Sequence, residues 1–261
     1  MILMDSRQGI HHNAETTDGA QFLIVLADTP AVPTHEVRID VPLLGFQHAF
    51  QTLAEKGWVR LQQLPSAIAL LDVAASLGTP TRAPGGEVEK VLQPHDPVAA
   101  RRTTLSRRYG TGPFPFHTDT AFWPIPCRYI VMRVEGDRRR STLLLDFPAL
   151  LNDSGGRAFD DALRAVWRTP LAMGGIYCST RFVTREGRGW RYDGDVMLPA
   201  NEAARRVAKI LKTALTSPSS AIILNWEDTS CLIIDNWRFL HARAPAPIDE
   251  RARFLRRIYV R

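Results

Sequence analysis

The sequence predicts an α+β fold in which helices pack outside a β-rich core. From Gly86 onward, short runs of β-branched or aromatic residues alternate with Gly, Pro, Asp and Asn, a pattern typical of a sandwich or barrel. Two helical stretches interrupt this series, and the opening of the chain mixes helices with strands. The chain has 261 residues, which suits a single domain of this kind, predicted over residues 21–261.

The first third of the chain alternates between strands and helices. Residues 1–20 are polar and are expected to form a flexible N-terminal segment. Ser66 and Gly78 are suitable residues to begin and end a helix between them. Apolar spacing predicts, in order, a strand at 21–27, a helix at 43–56, a strand at 57–61 and a helix at 66–77.

The remainder of the chain is rich in predicted strands. Its two helices are predicted over residues 159–167 and 201–216, and the second carries apolar residues along one face. Residues 186–195 are Gly-rich and are expected to form a loop. The predicted strands lie at 87–92, 129–134, 142–146, 221–225, 232–235 and 253–261.

Composition excludes several classes of protein. With 45% hydrophobic and 23% charged residues, the chain is neither disordered nor of low complexity. No apolar run reaches the length of about 18 residues that a membrane-spanning helix needs. Cys127, Cys178 and Cys231 share no short spacing, which argues against a disulfide framework or a cysteine zinc site. We therefore expect a protein of the reducing cytoplasm.

The charge of the chain allows two functional interpretations. Lys and Arg total 33 against 27 Asp and Glu, a net charge of +6, and arginine supplies most of the excess. A basic chain is compatible with a nucleic-acid partner. Arginine also binds small carboxylates through its planar guanidinium, and an arginine bias can simply follow from genomic base composition. The clusters at residues 138–140 and 205–206 are expected at the surface.

One short motif contains a candidate pair of metal ligands. His117 and Asp119 are two residues apart, so on an extended chain their side chains lie on the same side. An imidazole nitrogen and a carboxylate oxygen suit a divalent first-row metal. The same pair also occurs as an ordinary hydrogen-bonded pair, so the motif alone leaves both interpretations open.

A remote histidine completes a possible ligand set. His241 ends an apolar stretch that follows a polar turn at Asp235 and Asn236. If His241 meets His117 and Asp119, the three form a two-histidine, one-carboxylate facial set with coordination positions left open, as in non-haem Fe(II) oxygenases. The alternative for His241 alone is a buried, hydrogen-bonded histidine.

The last predicted strand carries three arginines among apolar residues. Arg253 and Arg257 are four residues apart and therefore share one face, while Arg256 lies on the other. Arginines facing the interior of a barrel require anionic partners. The alternative places this face in solvent, which would put Phe254 and Ile258 in the interior together with Arg256.

In combination, His117-x-Asp119, a remote His241 and Arg253 twelve residues further on resemble the Fe(II)- and 2-oxoglutarate-dependent dioxygenases, most nearly the subgroup of taurine dioxygenase and clavaminate synthase. The resemblance covers residues 105–261. It implies a double-stranded β-helix (jelly-roll) core with flanking helices. It also implies an enzyme that uses O₂ to oxidise an unactivated C–H bond and releases succinate and CO₂. Hydroxylation is the expected outcome, with desaturation or cyclisation as alternatives.

The resemblance also implies roles for individual residues. His117, Asp119 and His241 would bind Fe(II), and Arg253 would hold the distal carboxylate of 2-oxoglutarate. Thr142 matches the threonine that the family places on the same carboxylate.

This chain departs from the family just before that threonine. The family often has a Gly-Gly-x-Thr run, whereas here Arg139-Arg140-Ser141-Thr142 stands in its place. Ser141 is therefore a competing candidate for the carboxylate contact.

The substrate is expected to be a small molecule, amino-acid-like, acidic or a secondary metabolite. Arg257 matches a position that contacts an acidic substrate group in some members of the family. Arg191 lies in the predicted loop at 186–195 and is a candidate substrate contact, with an exposed loop arginine as the alternative. Trp123 is a candidate pocket wall, with barrel core as the alternative.

Two other functional hypotheses remain open at this point. A cupin-like metalloenzyme, such as a lyase or isomerase, would use the same ligands without needing Arg253. A basic nucleic-acid-binding module would need neither. The chain contains no interleaved aromatic and basic motif of the RNA-recognition kind, so the second hypothesis ranks last.

Overall fold

The computed structural model describes residues 21–25, 36–40, 44–65, 68–93, 105–216 and 218–261. Residues 1–20, the predicted flexible segment, lie outside this part of the chain. Six α-helices and 17 strands lie within it, and every strand pair there is antiparallel. The predicted mixture of helices with antiparallel strands is therefore confirmed.

The helices are numbered in chain order. They are α1 (Leu44–Lys56), α2 (Leu70–Leu77), α3 (Leu105–Tyr109), α4 (Phe147–Asp153), α5 (Gly156–Arg164) and α6 (Glu202–Ala214). None of these described helices has the length and apolar character that a membrane crossing requires.

The strands, numbered in the same way, are short. They are β1 (Gln21–Val25), β2 (Glu36–Asp40), β3 (Trp58–Leu61), β4 (Pro80–Thr81), β5 (Glu89–Leu92), β6 (Phe114–His117), β7 (Tyr129–Gly136), β8 (Thr142–Asp146), β9 (Val166–Arg168), β10 (Tyr177–Ser179), β11 (Arg181–Thr184), β12 (Gly187–Trp190), β13 (Leu198–Pro199), β14 (Ile222–Leu224), β15 (Cys231–Asp235), β16 (Phe239–Arg243) and β17 (Arg253–Val260).

Two of the sheets build the core. The larger has eight strands in the order β2-β1-β3-β15-β7-β17-β4, with β5 also paired to β17. The second has four strands in the order β14-β8-β16-β6. Strands adjacent in these sheets are distant in sequence, so long-range pairing brings together the segments that carry the predicted site.

The larger sheet buries both of its faces. On one face, Val59 and Ile258 pack with Leu53 of α1 and Val73 of α2. On the other face, the strands pack against the four-stranded sheet: Ile130 and Tyr259 share a buried cluster with Leu144 and Phe239. The two large sheets therefore face each other across an apolar layer, with helices outside the larger one.

Several predicted elements are confirmed with small shifts in their ends. The strand at 142–146 has the predicted bounds, and α1 matches the predicted helix at 43–56. Helix α6 lies within the predicted 201–216 because Asn201 serves as its N-cap, where the Asn201 side chain accepts a hydrogen bond from the Ala204 N–H at 2.9 Å.

Two predicted helices have the wrong bounds. The helix predicted at 66–77 begins at Leu70, where the Asp72 carboxylate accepts a hydrogen bond from the Ala69 N–H at 3.1 Å; Ser66 lies outside the described residues. The helix predicted at 159–167 begins and ends earlier, as α5. Its predicted last turn is strand β9, because the fully buried Trp167 pairs there with both β10 and β13.

The prediction of a loop over residues 186–195 is also wrong in part. Strand β12 lies inside it and pairs with β11 as a hairpin. Gly189 belongs to this strand because a side chain would not fit: a Cβ there would lie 2.3 Å from the Phe182 ring and 2.9 Å from that of Trp237. The glycines that suggested a loop therefore include one required by close packing.

Candidate active site

Three candidate metal ligands meet at the end of the four-stranded sheet. His117 ends β6 and lies directly opposite His241 of β16 in the strand register. Asp119 follows β6 by two residues, and one ligand atom from each of the three residues lies within 4.8 Å of the others. The Asp119 carboxylate is 3.5 Å from His117 Nε2 and 3.4 Å from His241 Nε2. Two imidazoles and one carboxylate therefore converge, as the sequence suggested.

The imidazoles are arranged for metal binding. His117 Nδ1 lies 2.9 Å from the Pro115 carbonyl oxygen and donates a hydrogen bond to it, which leaves Nε2 facing Asp119. Burial, together with the charge of neighbouring His117, lowers the pKa of His241 to about 4. Burial acts to lower the pKa of His117 as well, but the hydrogen bond to Asp119 and the charge of Asp119 raise it. A metal binds the neutral imidazole, so an ion at this site would take the place of a proton on His117 Nε2. The donor set therefore fits a divalent first-row ion such as Fe(II).

Asp119 is held in its charged form. Burial acts to raise its pKa, but the Arg257 guanidinium and the hydrogen bonds from both histidines hold that pKa well below the ordinary range. Arg257 Nη1 donates a hydrogen bond to Asp119 Oδ2 at 2.6 Å. Arg257, predicted as a substrate contact, thus lies beside a candidate metal ligand.

Asn236 braces the backbone at Asp119. Its side-chain oxygen accepts a hydrogen bond from the Asp119 N–H at 2.9 Å, and its amide donates to the carbonyls of Asp119 at 3.0 Å and Cys127 at 2.9 Å. Asn236 is fully buried. The polar turn at Asp235 and Asn236, noted in the sequence before His241, therefore joins the two halves of the site.

The residue after Asp119 has an uncommon backbone conformation. Thr120 has φ of 57°, in the left-handed region that β-branched residues rarely adopt. Its side-chain oxygen accepts a hydrogen bond from the Cys127 N–H at 2.9 Å, which fixes the turn. The strain is local to the candidate ligand loop, where such outliers often accompany function.

Arg253 and Thr142 lie buried beside this site. Arg253 is 4% exposed and forms no ion pair with any described residue, and its Nε has no hydrogen-bond partner there. The Thr142 hydroxyl oxygen accepts a hydrogen bond from Trp226 Nε1 at 3.0 Å. The competing candidate, Ser141, instead donates a hydrogen bond to Asn225 at 2.7 Å. A buried guanidinium that forms no direct ion pair with a described residue fits a ligand carboxylate.

Strand β17 resolves the question of which arginines face inward. Arg256 lies on the helix-covered side of the sheet and pairs with Glu89 at 2.8 Å and Glu135 at 2.6 Å near the edge. Arg253 and Arg257 lie on the opposite face with Tyr259, whose ring is 4.7 Å from the Arg257 guanidinium. Both faces of β17 are covered, one by helices and the other by the four-stranded sheet. The sequence alone therefore could not assign either face of this strand to solvent.

Arg191 is buried, so the expectation of an exposed loop arginine is wrong. It is 2% exposed, and its guanidinium donates hydrogen bonds to the carbonyls of Ala121, Trp123 and Pro124, the shortest at 2.6 Å. Burial lowers its pKa. Arg191 thus holds the segment that follows Asp119 in place.

Trp123 is half-buried at the edge of the inter-sheet cluster. Its ring packs edge-on against Tyr259 at 6.1 Å and lies 5.1 Å from the Arg261 guanidinium. It therefore contributes to the core, and whether it also contacts a substrate stays a prediction.

Asp193 is a buried carboxylate that sequence reasoning passed over. The Thr118 N–H donates to the Tyr192 carbonyl at 2.8 Å, and the Tyr192 N–H donates to the Thr118 hydroxyl at 3.1 Å, which places Asp193 beside the ligand loop. Burial raises the pKa of Asp193, opposed by the charge of His117. One oxygen of Asp193 accepts from the Asp195 N–H at 2.8 Å, and no described residue donates to the other. In the sequence, Asp193 could have been proposed as a site residue because it lies two residues after the candidate Arg191.

The predicted surface arginines are only partly at the surface. Arg205 and Arg206 are exposed and pair with Glu202 and Asp161. Arg140 is the exception, since its side chain is completely buried in an ion pair with Glu250. The prediction for Arg140 is wrong because the loop before β17 folds a carboxylate over it.

Comparisons with known proteins show a fold similar to that of solved oxygenase structures. No protein-family model and no curated protein matches the chain. Among solved structures, it resembles an asparagine oxygenase in complex with Fe(II), hydroxyasparagine and succinate, with a TM-score of 0.60 and 18% identity over 73% of this chain and 63% of that chain. It thus spans less than two thirds of that relative. The chain has the fold of an iron oxygenase.

Two further solved structures have a similar fold. AAD-2 in complex with Mn(II) and N-oxalylglycine has a TM-score of 0.69 and 13% identity, over 90% of this chain and 96% of that chain. A variant of the non-haem iron oxygenase OrfP in complex with a hydroxylated L-arginine has a TM-score of 0.53 and 21% identity, over 73% of this chain and 63% of that chain. At these identities the likeness concerns the fold.

Proposed function

We propose that the protein is a non-haem Fe(II)- and 2-oxoglutarate-dependent oxygenase that hydroxylates a small amino-acid-like or secondary-metabolite substrate. One observation carries the proposal: His117, Asp119 and His241 converge within 4.8 Å, and the strand whose Arg257 contacts Asp119 begins with a buried Arg253 that has no ion pair among the described residues. A lyase or isomerase on the same metal would have no use for that buried cation.

The core is proposed to be a double-stranded β-helix, part of a single catalytic domain over residues 21–261. Two facing antiparallel sheets with the metal ligands at one end support this assignment. The short length of the strands and the likeness to oxygenase structures support it further.

Each site residue is assigned a role. His117, Asp119 and His241 would hold Fe(II), and Asn236 and Arg257 keep Asp119 in position and charged. Arg253 would bind the distal carboxylate of 2-oxoglutarate, with Thr142 beside it. With O₂, the bound metal and 2-oxoglutarate supply oxidation of a substrate C–H bond, coupled to formation of succinate and CO₂.

The substrate is proposed to carry an amino group. The Asp193 carboxylate lies close enough to His117 and Asp119 for their charges to act on its pKa, and it retains a free oxygen that could accept from an ammonium group. The asparagine oxygenase and OrfP structures contain hydroxylated amino acids, which supports the same class. Arg257 and Trp123 remain candidate substrate contacts, while Arg191 is assigned to holding residues 121–124.

Succinate formation tests the proposal. The protein is incubated in air with Fe(II), 2-oxoglutarate and a panel of L-amino acids, and succinate is measured. We expect formation above the background rate with at least one amino acid, and its loss in His117→Ala and Asp119→Ala. The matched control is Asp160→Asn, an exposed carboxylate on α5, which should retain the activity. Equal succinate formation by the wild type and His117→Ala would contradict the proposal.

A further inference from the structure

Three arginines meet at one end of the core, close to the proposed 2-oxoglutarate site. Arg243 ends β16 and pairs in register with Thr142, while Arg253 begins β17 and pairs with Gly136. Arg140 lies on the connection between the strands that contain Gly136 and Thr142. All three belong to neighbouring strand ends, so their charges act on one another.

Arg140 is the buried centre of this cluster. Its side chain has no exposed surface, and it donates a hydrogen bond from Nη2 to the Glu250 carboxylate. No described residue is a hydrogen-bond partner of its Nε or Nη1, or of Glu250 Oε1. Buried donors and acceptors without partners are costly, so the described part of the chain satisfies this pair incompletely.

The other two arginines, Arg243 and Arg253, differ in their hydrogen-bond partners. Arg243 donates to the carbonyls of Gly110 and Gly112, each at 2.7 Å, which satisfies much of its hydrogen-bonding capacity. Arg253 has no such partners among the described residues. Nearby Asp137 is already bound by Arg139 at 2.6 Å.

The cluster has more positive than negative charge. Among the described residues, Glu250 is the carboxylate that pairs with a member of the cluster, against three guanidinium groups. The charge of Asp137 also acts on Arg253, but Asp137 is itself paired with Arg139. Burial first, and then the charge of Arg140, lower the pKa of both Arg243 and Arg253 to about 10. At neutral pH Arg243 and Arg253 therefore stay protonated, and the surplus of positive charge favours an incoming anion.

We propose that the Arg140–Glu250 pair sets the affinity and selectivity of the co-substrate site. Arg140 neutralises Glu250, which would otherwise be a buried anion beside Arg253, and so leaves Arg253 free to bind the distal carboxylate. Arg140 is thus a positioning residue for a dicarboxylate 2-oxo acid, acting through its charge. This inference rests on the proposed function.

Substitution of Arg140 and substitution of Glu250 should have opposite effects on the binding of 2-oxoglutarate. Arg140→Met leaves Glu250 unpaired and should weaken 2-oxoglutarate binding about tenfold or more. Glu250→Gln keeps an oxygen for Arg140 and removes a competing negative charge, so 2-oxoglutarate should bind more tightly to this variant. Both variants should leave binding of 2-oxopentanoate, which has a methyl group in place of the distal carboxylate, within about twofold of the wild type.

The measurement is an anaerobic titration of the Fe(II)-loaded full chain, following the visible charge-transfer absorption of the bound 2-oxo acid. Arg139→Met is the matched control, because Arg139 is adjacent but half-exposed and paired with Asp137 and Asp249. The inference is overturned if Arg140→Met binds 2-oxoglutarate as the wild type does, or loses both 2-oxo acids equally. Unchanged or weaker binding of 2-oxoglutarate by Glu250→Gln would also overturn it, so this variant decides alone if Arg140→Met does not fold.

Different results would contradict the proposed function and the role of the Arg140–Glu250 pair. If the wild type develops no absorption with Fe(II) and 2-oxoglutarate, the proposed function fails. If the wild type binds normally and the variants do not differ, only the role of Arg140 and Glu250 is wrong.

Discussion

At the scale of single residues, the candidate site depends on hydrogen bonds to the backbone as much as on the ligands themselves. Asn236 satisfies three backbone groups around Asp119 and Cys127. Arg191 satisfies the carbonyls of the following segment. Both side chains are buried, and the hydrogen bonds of Asn236 are buried as well, so water has little access to replace them.

Replacing Asn236 with Ala should therefore damage both stability and metal binding. The Asp119 N–H and the Cys127 carbonyl would be left buried without partners, which costs about 1–3 kcal/mol for each group. We expect a lower melting temperature and at least tenfold weaker Mn(II) binding, since loss of such supports typically costs 10–100-fold in metal affinity. Thermal denaturation and metal titration measure these, and unchanged metal affinity would contradict the bracing role.

Asp193→Asn tests the amino-group assignment. The amide keeps the shape of the side chain and removes its charge, so KM for the amino-acid substrate should rise about 10- to 100-fold. Binding of 2-oxoglutarate to the Fe(II)-loaded protein should change little, because Arg253 and not Asp193 holds it. A variant that loses 2-oxoglutarate binding while keeping the substrate KM would show that the assignment is wrong.

The sequence could predict the candidate ligands but not their partners. Histidines are few, and the spacing of His117 and Asp119 places both on one side of an extended chain. The partners of Arg257, Arg191 and Arg140 depend on pairing between distant strands, which local patterns do not contain. Asp193 was missed because burial of its carboxylate arises from the hydrogen bonds between Thr118 and Tyr192.

At the scale of elements, the hairpin of β11 and β12 positions the segment that carries Arg191 and Asp193. Within the hairpin, Gly189 lies opposite Phe182, whose ring covers the glycine and stands edge-on to Trp237 at 5.2 Å. The sequence predicted a loop here because glycines are depleted in strands. Tertiary packing, which a local pattern does not include, reverses that preference.

Gly189→Ala should destabilise the protein. The added methyl group would meet the Phe182 ring at 2.3 Å, and overpacking of this kind costs about 1–3 kcal/mol. Gly156→Ala is the matched control, because a Cβ there meets nothing within 4 Å and the residue begins α5. Chemical denaturation should show a loss for the first variant and no loss for the second. Equal stability of both would contradict the packing argument.

Helices α5 and α6 are joined by a two-pronged ion pair. Arg206 donates to both oxygens of Asp161 at 2.7 Å, and these hydrogen bonds lower the pKa of Asp161. A carboxylate whose pKa is lowered on folding stabilises the protein above its unfolded pKa, about 3.9, and loses that contribution as the pH falls through the lower folded value.

Asp161→Asn should consequently lower the melting temperature at pH 7, and the difference from the wild type should shrink below about pH 4. Asp160→Asn, on the exposed side of the same helix, should show little difference at either pH. A difference for Asp161→Asn that stays constant down to pH 3 would contradict the role of the ion pair.

At the scale of the whole molecule, two facing sheets bring together residues separated by more than one hundred positions. His117 and His241 become neighbours only because β6 and β16 pair. The sequence predicted a β-rich core and helices outside it, since strand and helix periodicities are local. It did not predict the sheet order, which depends on long-range contacts.

The positive charge of the chain also acquires a structural explanation at this scale. Arg256, Arg206 and Arg139 form ion pairs with carboxylates, and Arg191 and Arg243 bind backbone carbonyls. Among the described residues, Arg253 stands out as a buried cation with neither kind of partner. The excess charge is thus partly directed to the interior, where a small carboxylate is the suitable ligand.

The most direct test of the account is anaerobic addition of 2-oxoglutarate to the Fe(II)-loaded protein. If His117, Asp119 and His241 hold the metal and Arg253 holds the co-substrate, a weak visible charge-transfer absorption should appear and saturate. It should be lost in Asp119→Ala, and Arg253→Ala should require at least tenfold more 2-oxoglutarate. Folded, metal-loaded wild-type protein that shows no such absorption would contradict the central claim.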